Sequence, residues 1–415
     1  MCGCRAWRGK RGGLKIVLVS VLCLWDLAGA ELKSVAKVYQ SACLQRGQDY
    51  WDYESYDLEG YDRWTSGDRY EILRKLGSGK FSEVMEAIEA NKGRNVVLKI
   101  LKPVQLKKIK REVKILELLN QPDAGWEESG EGGSQSIQGS NESWASQHNV
   151  LGLLGICKVS GSGSTALVLE HLGQRAQWLA HSAPGAEDNG GKLSEHEVKH
   201  FMFELLKALD YSHSRGIMHR DVKPRNIMVN RSSTMPLLRL IDWGLGDFYI
   251  PGKRYVVRVG SRYYKPPELL VGYRFYNYSA DIFSAGCVFA GLLLHKEPLF
   301  RGKDNEDQLV KIASILGIED LRAYLERYQV NLEAELSKAL SKCPPKRMDW
   351  SAFLTPENQS FCTPEALDLL DRVSTPSRIL NAEPCLTLAF SPNQMLVYDH
   401  QKRISAREAL AHPFF

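Results

Sequence analysis

Short runs in which apolar and polar positions alternate open the body of the chain. Tyr70–Gly77, Val84–Ala90 and Asn95–Leu101 read as strands, the last around the apolar triplet Val96-Val97-Leu98. A helical period takes over from Lys107 to Leu119, with Ile109, Val113, Leu116 and Asn120 on one face and bases crowding the other. Strand patterns return at Val150–Val159 and Ala166–Glu170, and beyond Leu172 long helical patterns dominate, beginning with Glu195–His213. The expected fold is α+β: a small β-rich lobe, then a larger helical one, with the cleft between them as the natural place for a ligand.

Three stretches break this pattern. Asn120–Asn149 holds five glycines, six serines and no leucine or valine; it has too little apolar surface to order itself and is expected to be a surface loop. Val373–Gln394 drops 22 residues with three prolines into an amphipathic helix pattern, although a proline in a helix interior costs about 3 kcal/mol. Joining Ala366–Arg372 directly to Met395–His400 makes the apolar i, i+3, i+4, i+7 stripe continuous. Valine codons begin with GT and one glutamine codon is CAG, so a retained in-frame intron explains both edges, with a genuine loop as the alternative. The third stretch is residues 1–30: a basic start, the apolar run Ile16–Trp25 and then Ala28-Gly29-Ala30, the order of a cleaved secretory leader. Its roughly ten apolar residues fall short of the roughly 20 that span a bilayer, so no stable membrane span is expected. An uncleaved anchor and a misplaced start codon stand as the alternatives.

The 415 residues have room for a sizeable core, and 44% hydrophobic with 25% charged residues is the balance of an ordinary globular protein, neither disordered nor fibrous nor a membrane bundle. Nine cysteines without a C-x-x-C pair exclude a zinc ribbon or a disulfide-dense miniature. Of the net charge of +5, residues 1–30 carry +4 (Arg5, Arg8, Lys10, Arg11 and Lys15 against Asp26), which leaves a near-neutral body and no expected nucleic-acid partner. Without the leader six cysteines remain (Cys43, Cys157, Cys287, Cys343, Cys362, Cys385), read as small buried hydrophobes. The N-x-S sequons at Asn141, Asn230, Asn277 and Asn358 acquire meaning only if the leader works.

Chemistry enters with Gly77-Ser78-Gly79-Lys80 between the first two strands, where glycines let backbone N–H groups approach phosphates; an ordinary hairpin would use the same residues. Lys99 puts a cation inside an apolar strand and needs an anion, for which Glu112 on the following helix is the candidate. A second cluster is more specific. His219-Arg220-Asp221-Val222-Lys223-Pro224-Arg225-Asn226 is followed, 21 residues after Asp221, by Asp242-Trp243-Gly244, and 26 after Asp242 comes Glu268 of Pro266-Pro267-Glu268. The spacing sets Asp221, Lys223, Asn226 and Asp242 on loops at strand ends, where a carboxylate can receive a hydroxyl proton while Asn and Asp oxygens hold magnesium.

In this order the motifs resemble a eukaryotic protein kinase from about residue 70 to the end of the chain. Within that family the chain is similar to the catalytic alpha subunit of casein kinase II. The closer resemblance rests on Tyr50-Trp51-Asp52-Tyr53-Glu54, Lys102-Pro103-Val104, Lys107–Glu112, Gly216–Pro224, Trp243 in place of the usual Phe, Pro251-Gly252-Lys253, and Val257-Arg258-Val259 before Ser261-Arg262-Tyr263. It implies the bilobal kinase fold, with an N-lobe over residues 70–170, a C-lobe over 171–415, and residues 31–69 bracing the activation loop. It also implies a serine/threonine kinase that moves the γ-phosphoryl group of ATP, with GTP as an alternative donor, and uses Mg2+. By that resemblance Lys99, steadied by Glu112, would hold the α- and β-phosphates. The nucleotide-binding set would also take in Leu76, Gly77, Ser78, Gly79, Lys80, Val84 and Val97. Glu170, His171 and Leu172 would form the hinge that meets the purine, with Leu169 gating the back pocket. Asp221 would deprotonate the acceptor hydroxyl, Lys223 would stabilise the moving phosphoryl group, Asn226 and Asp242 would chelate magnesium, and Glu268 with Arg403 would brace the lower lobe.

Acidic protein substrates follow from the same resemblance. Between Asp242 and Glu268 five bases face three acids, and Arg258, Arg262 and Lys265, with Lys107 and Lys108, would pair with carboxylates. Gln105 and Leu106 shorten the lysine run of that subunit, which weakens the expected preference. Ser261 is the only hydroxyl residue of the segment other than tyrosine, so activity without an activating phosphate is expected. A regulatory beta subunit is an implied partner, set against the Ser-rich insertion close to where it would dock. The leader points to the secretory pathway or the cell exterior, whereas the resembled kinases work in cytosol and nucleus. The competing reading is a catalytically dead scaffold: such proteins usually lose a residue such as Lys99, Asp221, Asn226 or Asp242, and all four are present, so its cause would be the 22-residue interruption or a glycan at Asn277.

Overall fold

The computed structural model describes residues 33–58, 60, 63–79, 81–102, 105–122, 144–159, 163–174, 176–179, 193–231, 236–371 and 394–415. The leader, Lys80, Asn141, most of the glycine- and serine-rich segment and residues 373–393 lie outside them.

Alternating sequences build a six-stranded sheet in the order β1-β5-β6-β4-β3-β2, from β1 (Trp64–Ser66), β2 (Tyr70–Ser78), β3 (Ser82–Glu89), β4 (Arg94–Leu101), β5 (Leu153–Lys158) and β6 (Thr165–Glu170). The short β1 was not anticipated, since three residues carry no legible period; it joins β5 in parallel, Trp64 opposite Ile156. Helix α1 (Leu106–Leu119) buries Val113, Ile115, Leu116 and Leu119. Ile115 thus takes the place in the buried face that the periodicity gave to Ile109 and Asn120, both only half-buried.

The segment Asn120–Asn149 is not a surface loop to its end. Trp144–Gln147 forms a helical turn, α2, with Ala145 fully buried. The Trp144 indole N–H donates to the Tyr211 hydroxyl at 2.9 Å, and that hydroxyl donates to the Leu119 carbonyl at 2.9 Å. An aromatic ring and an alanine supply here the apolar surface that the glycines and serines before them lack.

The C-lobe is built on α3 (Glu195–Ser214), opened by a capping box between Ser194 and Glu197, and on α4 (Ser279–Leu293), every residue of which is buried. Arg403 forks onto Glu268 at 2.8 and 3.0 Å, and neither side chain has any exposed surface. Such a pair must be complete to be tolerated, and Arg403 also donates to the carbonyls of Ser279 and Val397.

Helix α5 (Pro364–Leu370) carries the edge of the 22-residue interruption. Asp371 N–H donates to Leu367 O at 2.9 Å, Met395 N–H to Leu369 O at 3.2 Å and Leu396 N–H to Leu370 O at 2.9 Å. With 22 residues subtracted, the last two bonds keep the i to i−4 spacing and fill the final carbonyls of α5, but the helix itself ends at Leu370, because Asp371 is extended (φ −160°, ψ 154°). Residues 394–400 hold no helix, so the stripe predicted to run on through Met395–His400 is not a helical one.

The described cysteines Cys43, Cys157, Cys287, Cys343 and Cys362 are all unbridged. Asn358 is fully buried and spends its amide on the carbonyls of Leu294 and Phe353, and Asn277 is 3% exposed. Among the described residues no helix is long and apolar enough to cross a membrane.

Candidate active site

The cleft face of the sheet is set by register. Val84 on β3 stands opposite Lys99 on β4, and Gly77 stands opposite Val84. The Lys99 ammonium reaches Glu112 of α1 and Asp242 of the C-lobe, each at 2.7 Å. Burial alone would depress this lysine, but the two carboxylates outweigh it and hold the ammonium above its ordinary range. Burial works against Asp242 as well, and Lys99 overrides it, keeping the carboxyl below the usual range. One cation thus ties both lobes across the cleft.

Below the sheet the catalytic-loop candidates converge on one carboxylate. Lys223 donates to Asp221 Oδ2 at 2.6 Å, Asn226 to the same oxygen at 3.1 Å, and the Ser261 backbone N–H to Oδ1 at 2.8 Å. Lys223 also donates to the Ser261 hydroxyl at 2.8 Å. The loop is fixed from behind by Asp281 of α4, which was not singled out from the sequence. Its buried carboxylate accepts from the backbone N–H groups of His219 and Arg220 at 2.8 and 2.7 Å and from His213 at 3.0 Å. Arg220 and Asp242 both hold left-handed backbone angles, φ 66° and 63°. For residues with a side chain this costs on the order of 1 kcal/mol each.

Asn226 and Asp242 are the oxygen ligands on offer for a metal. Asn226 spends its amide N–H groups on Asp221, and Lys99 occupies only Oδ1 of Asp242, so each residue keeps an oxygen for a hard cation. No cluster of three or more His, Cys, Asp or Glu side chains suited to a metal occurs among the described residues.

The other predicted residues fall as follows. Gly77 and Ser78 end β2, paired with Val84 and Glu83, and Gly79 opens the turn into β3, its N–H on Ser82 O at 2.8 Å and its O accepting from Lys102 at 2.8 Å. Leu76, Val84, Val97 and Leu172 are half-buried. Glu170 turns its carboxylate away from the cleft, toward Gly152 N–H (2.7 Å), Arg239 and Ser146. Among the described residues, Arg258 and Lys108 are the members of the basic set that are exposed without a carboxylate partner, and Lys108 lies over the Phe81 ring. Lys107 pairs with Glu54, Arg262 donates to the Lys303 carbonyl, and Lys265 is buried with Asn305 at 3.5 Å. Burial depresses the Lys265 ammonium.

Asp247 is a second residue the sequence reading passed over. Its buried carboxylate faces Arg220 at 3.1 Å, Lys253 at 3.5 Å and Arg111 at 3.6 Å. The signal was there in outline: it is the one acid without an assigned role in a segment of five bases. Next to it, Phe248 stacks on Tyr53 (6.3 Å between centroids) and meets Tyr50 edge-on (6.1 Å). The N-terminal segment is anchored further by Tyr50 OH on Arg215 O and by Cys43 packed against Gly216. Gly216 has φ +77°, and a Cβ there would lie 2.3 Å from the Cys43 sulfur, so both backbone and packing require glycine.

A family model described as protein kinase domain matches residues 142–415. Asp221, Asn226, Asp242 and Glu268 lie inside the matched span; Gly77, Lys99 and Glu112 precede it and join the site through the fold.

Proposed function

The chain belongs to the protein kinase family, and from that premise we propose that it is a serine/threonine kinase of the casein kinase II alpha type that phosphorylates hydroxyls in acidic surroundings. The observation that carries the chemistry is Lys99 held at 2.7 Å from both Glu112 and Asp242, above an Asp221 carboxylate already oriented by three donors.

Protein kinases draw on ATP and Mg2+. In the proposed reaction Lys99 holds the α- and β-phosphates under the Gly77–Gly79 backbone, and the hinge residues Glu170 to Leu172 meet the base. Asp221 accepts the proton of the acceptor hydroxyl as its oxygen bonds to the γ-phosphorus and the bond to the β-phosphate oxygen breaks. Lys223 balances the charge on the moving group. Magnesium, which Asn226 and Asp242 would hold, supplies charge neutralisation at the phosphates. GTP is proposed as an alternative donor.

For substrate choice Arg258 is the strongest element, being exposed and, among the described residues, uncommitted to a carboxylate. Lys107 is neutralised in part by Glu54, so the acidic preference rests on fewer charges than a count of bases gives. We also propose activity without an activating phosphate. Activation-loop phosphates order kinases by pairing with arginines, and here Asp247 already supplies an anion to Arg220, Arg111 and Lys253. The test is phosphate incorporation into peptides that differ only in the residues after the serine. Acidic flanks should win clearly over neutral ones, and equal rates, or transfer to tyrosine, would refute the assignment.

A further inference from the structure

Glu86 is a carboxylate on β3 with only 2% of its surface exposed. Register places it opposite Val97 of β4 and opposite Arg74 of β2, on the same face as Val84 and Lys99 and one pair nearer the hinge. A buried carboxylate is tolerated only when its oxygens are filled, and the donors that fill this one are mostly hinge side chains. Oε1 receives His171 Nε2 at 3.1 Å and Gln174 Nε2 at 3.2 Å, while Oε2 receives Arg74 Nε at 2.6 Å. The other ring nitrogen of His171 accepts the Gly173 backbone N–H at 3.1 Å. That bond fixes the tautomer, with the proton on Nε2 pointing at Glu86. Leu172 O is held from the opposite lobe by Asn230 Nδ2 at 3.0 Å. The hinge backbone between residues 171 and 174 is therefore set by its side-chain ties.

We propose that Glu86 is a positioning residue for nucleotide binding: by holding His171 and Gln174 it fixes the hinge backbone that meets the base. This rests on the reading of Glu170 to Leu172 as the base-binding hinge. Burial would raise the Glu86 carboxyl, but Arg74, His171 and Gln174 together hold it below its ordinary range, so it stays an acceptor at working pH.

The test compares wild type, Glu86→Gln, His171→Gln and the double variant, measuring KM for ATP, KM for an acidic peptide, the Kd for Mg·ATP by calorimetry, and the melting temperature. Each single variant should raise KM and Kd for ATP about tenfold, the loss of one charge-assisted hydrogen bond converted to affinity. The double variant should add little, and the peptide KM should stay put. Folded variants with unchanged ATP affinity, or with a lowered melting temperature alone, would overturn the proposal. If Glu86→Gln does not fold, His171→Gln decides by itself. A wild type that binds Mg·ATP but transfers nothing would sink the kinase chemistry and leave the hinge proposal to the binding constants.

Discussion

Excising Val373–Gln394 and joining Arg372 to Met395 should stabilise the protein and leave its catalysis intact. Met395 and Leu396 already bond to Leu369 and Leu370 at 3.2 and 2.9 Å and have no exposed surface, so the deletion shortens the connection between two fixed points. Closing 22 residues between such ends costs about 2.7 kcal/mol in chain entropy, from the (3/2)RT ln n dependence. Against this stands the Gln394 carbonyl, which accepts from Ile404 N–H at 3.1 Å; losing such a bond costs about 1 kcal/mol. The net is about 2 kcal/mol, or roughly 2 to 3 °C in melting temperature for a chain of this length. Calorimetry with a peptide phosphorylation assay on the same samples reads both quantities. As a control, removing Thr375–Leu396, equally long but shifted by two, takes out the buried Met395 and Leu396 and should destabilise. A Val373–Gln394 deletion that melts lower than wild type, or folds without activity, would show that Met395 and Leu396 cannot close onto the end of α5 without the residues between.

Asp247→Asn leaves Arg220, Arg111 and Lys253 without their shared anion; breaking a buried pair in this way costs about 3 to 5 kcal/mol, so turnover should collapse, and full activity in a folded variant would refute the built-in counter-ion. Wild type treated with phosphatase should keep its turnover. Burial lifts the Glu297 carboxyl to about 7 from 4.5. The folded state therefore holds a proton that the unfolded chain releases, and stability should fall as pH rises from about 4.5 to about 7, by on the order of 3 kcal/mol. Glu297→Gln, which keeps a partner for the Tyr264 hydroxyl, should flatten that fall in denaturant titrations, and identical profiles would exclude Glu297 as the source. Because Asn277 and Asn358 are buried, active protein made in a secretory host should carry no glycan at either; mass spectrometry that finds one on active enzyme would contradict the packing.

The lobes were legible because strands β2 to β6 and helices α1 and α3 each carry their own period, and the catalytic loop because its residues sit together in sequence. What stayed hidden depends on contacts distant in the chain. Glu86 occupies a polar position in an alternating strand and so reads as solvent-facing, yet the hinge 85 residues later covers it. Asp281 looks like one more helical acid, and only the fold brings the backbone of His219 and Arg220 onto it. The basic run misled in the other direction. Charge counting cannot tell exposed Arg258 from buried Lys265 or from Lys107 paired with Glu54. The insertion was visible because it breaks a period, while the end of α5 at Leu370 and the bonds of Met395 and Leu396 onto it needed the structure.

The most direct measurement is transfer of labelled γ-phosphate from Mg·ATP to an acidic serine peptide, run in parallel on wild type, Asp221→Asn and Asp242→Ala. Wild type should turn over, Asp221→Asn should still bind the nucleotide yet lose at least about a hundredfold in rate, and Asp242→Ala should lose magnesium-dependent binding as well. Undiminished transfer by either variant, or no transfer by folded wild type, would contradict the assignment of this cleft.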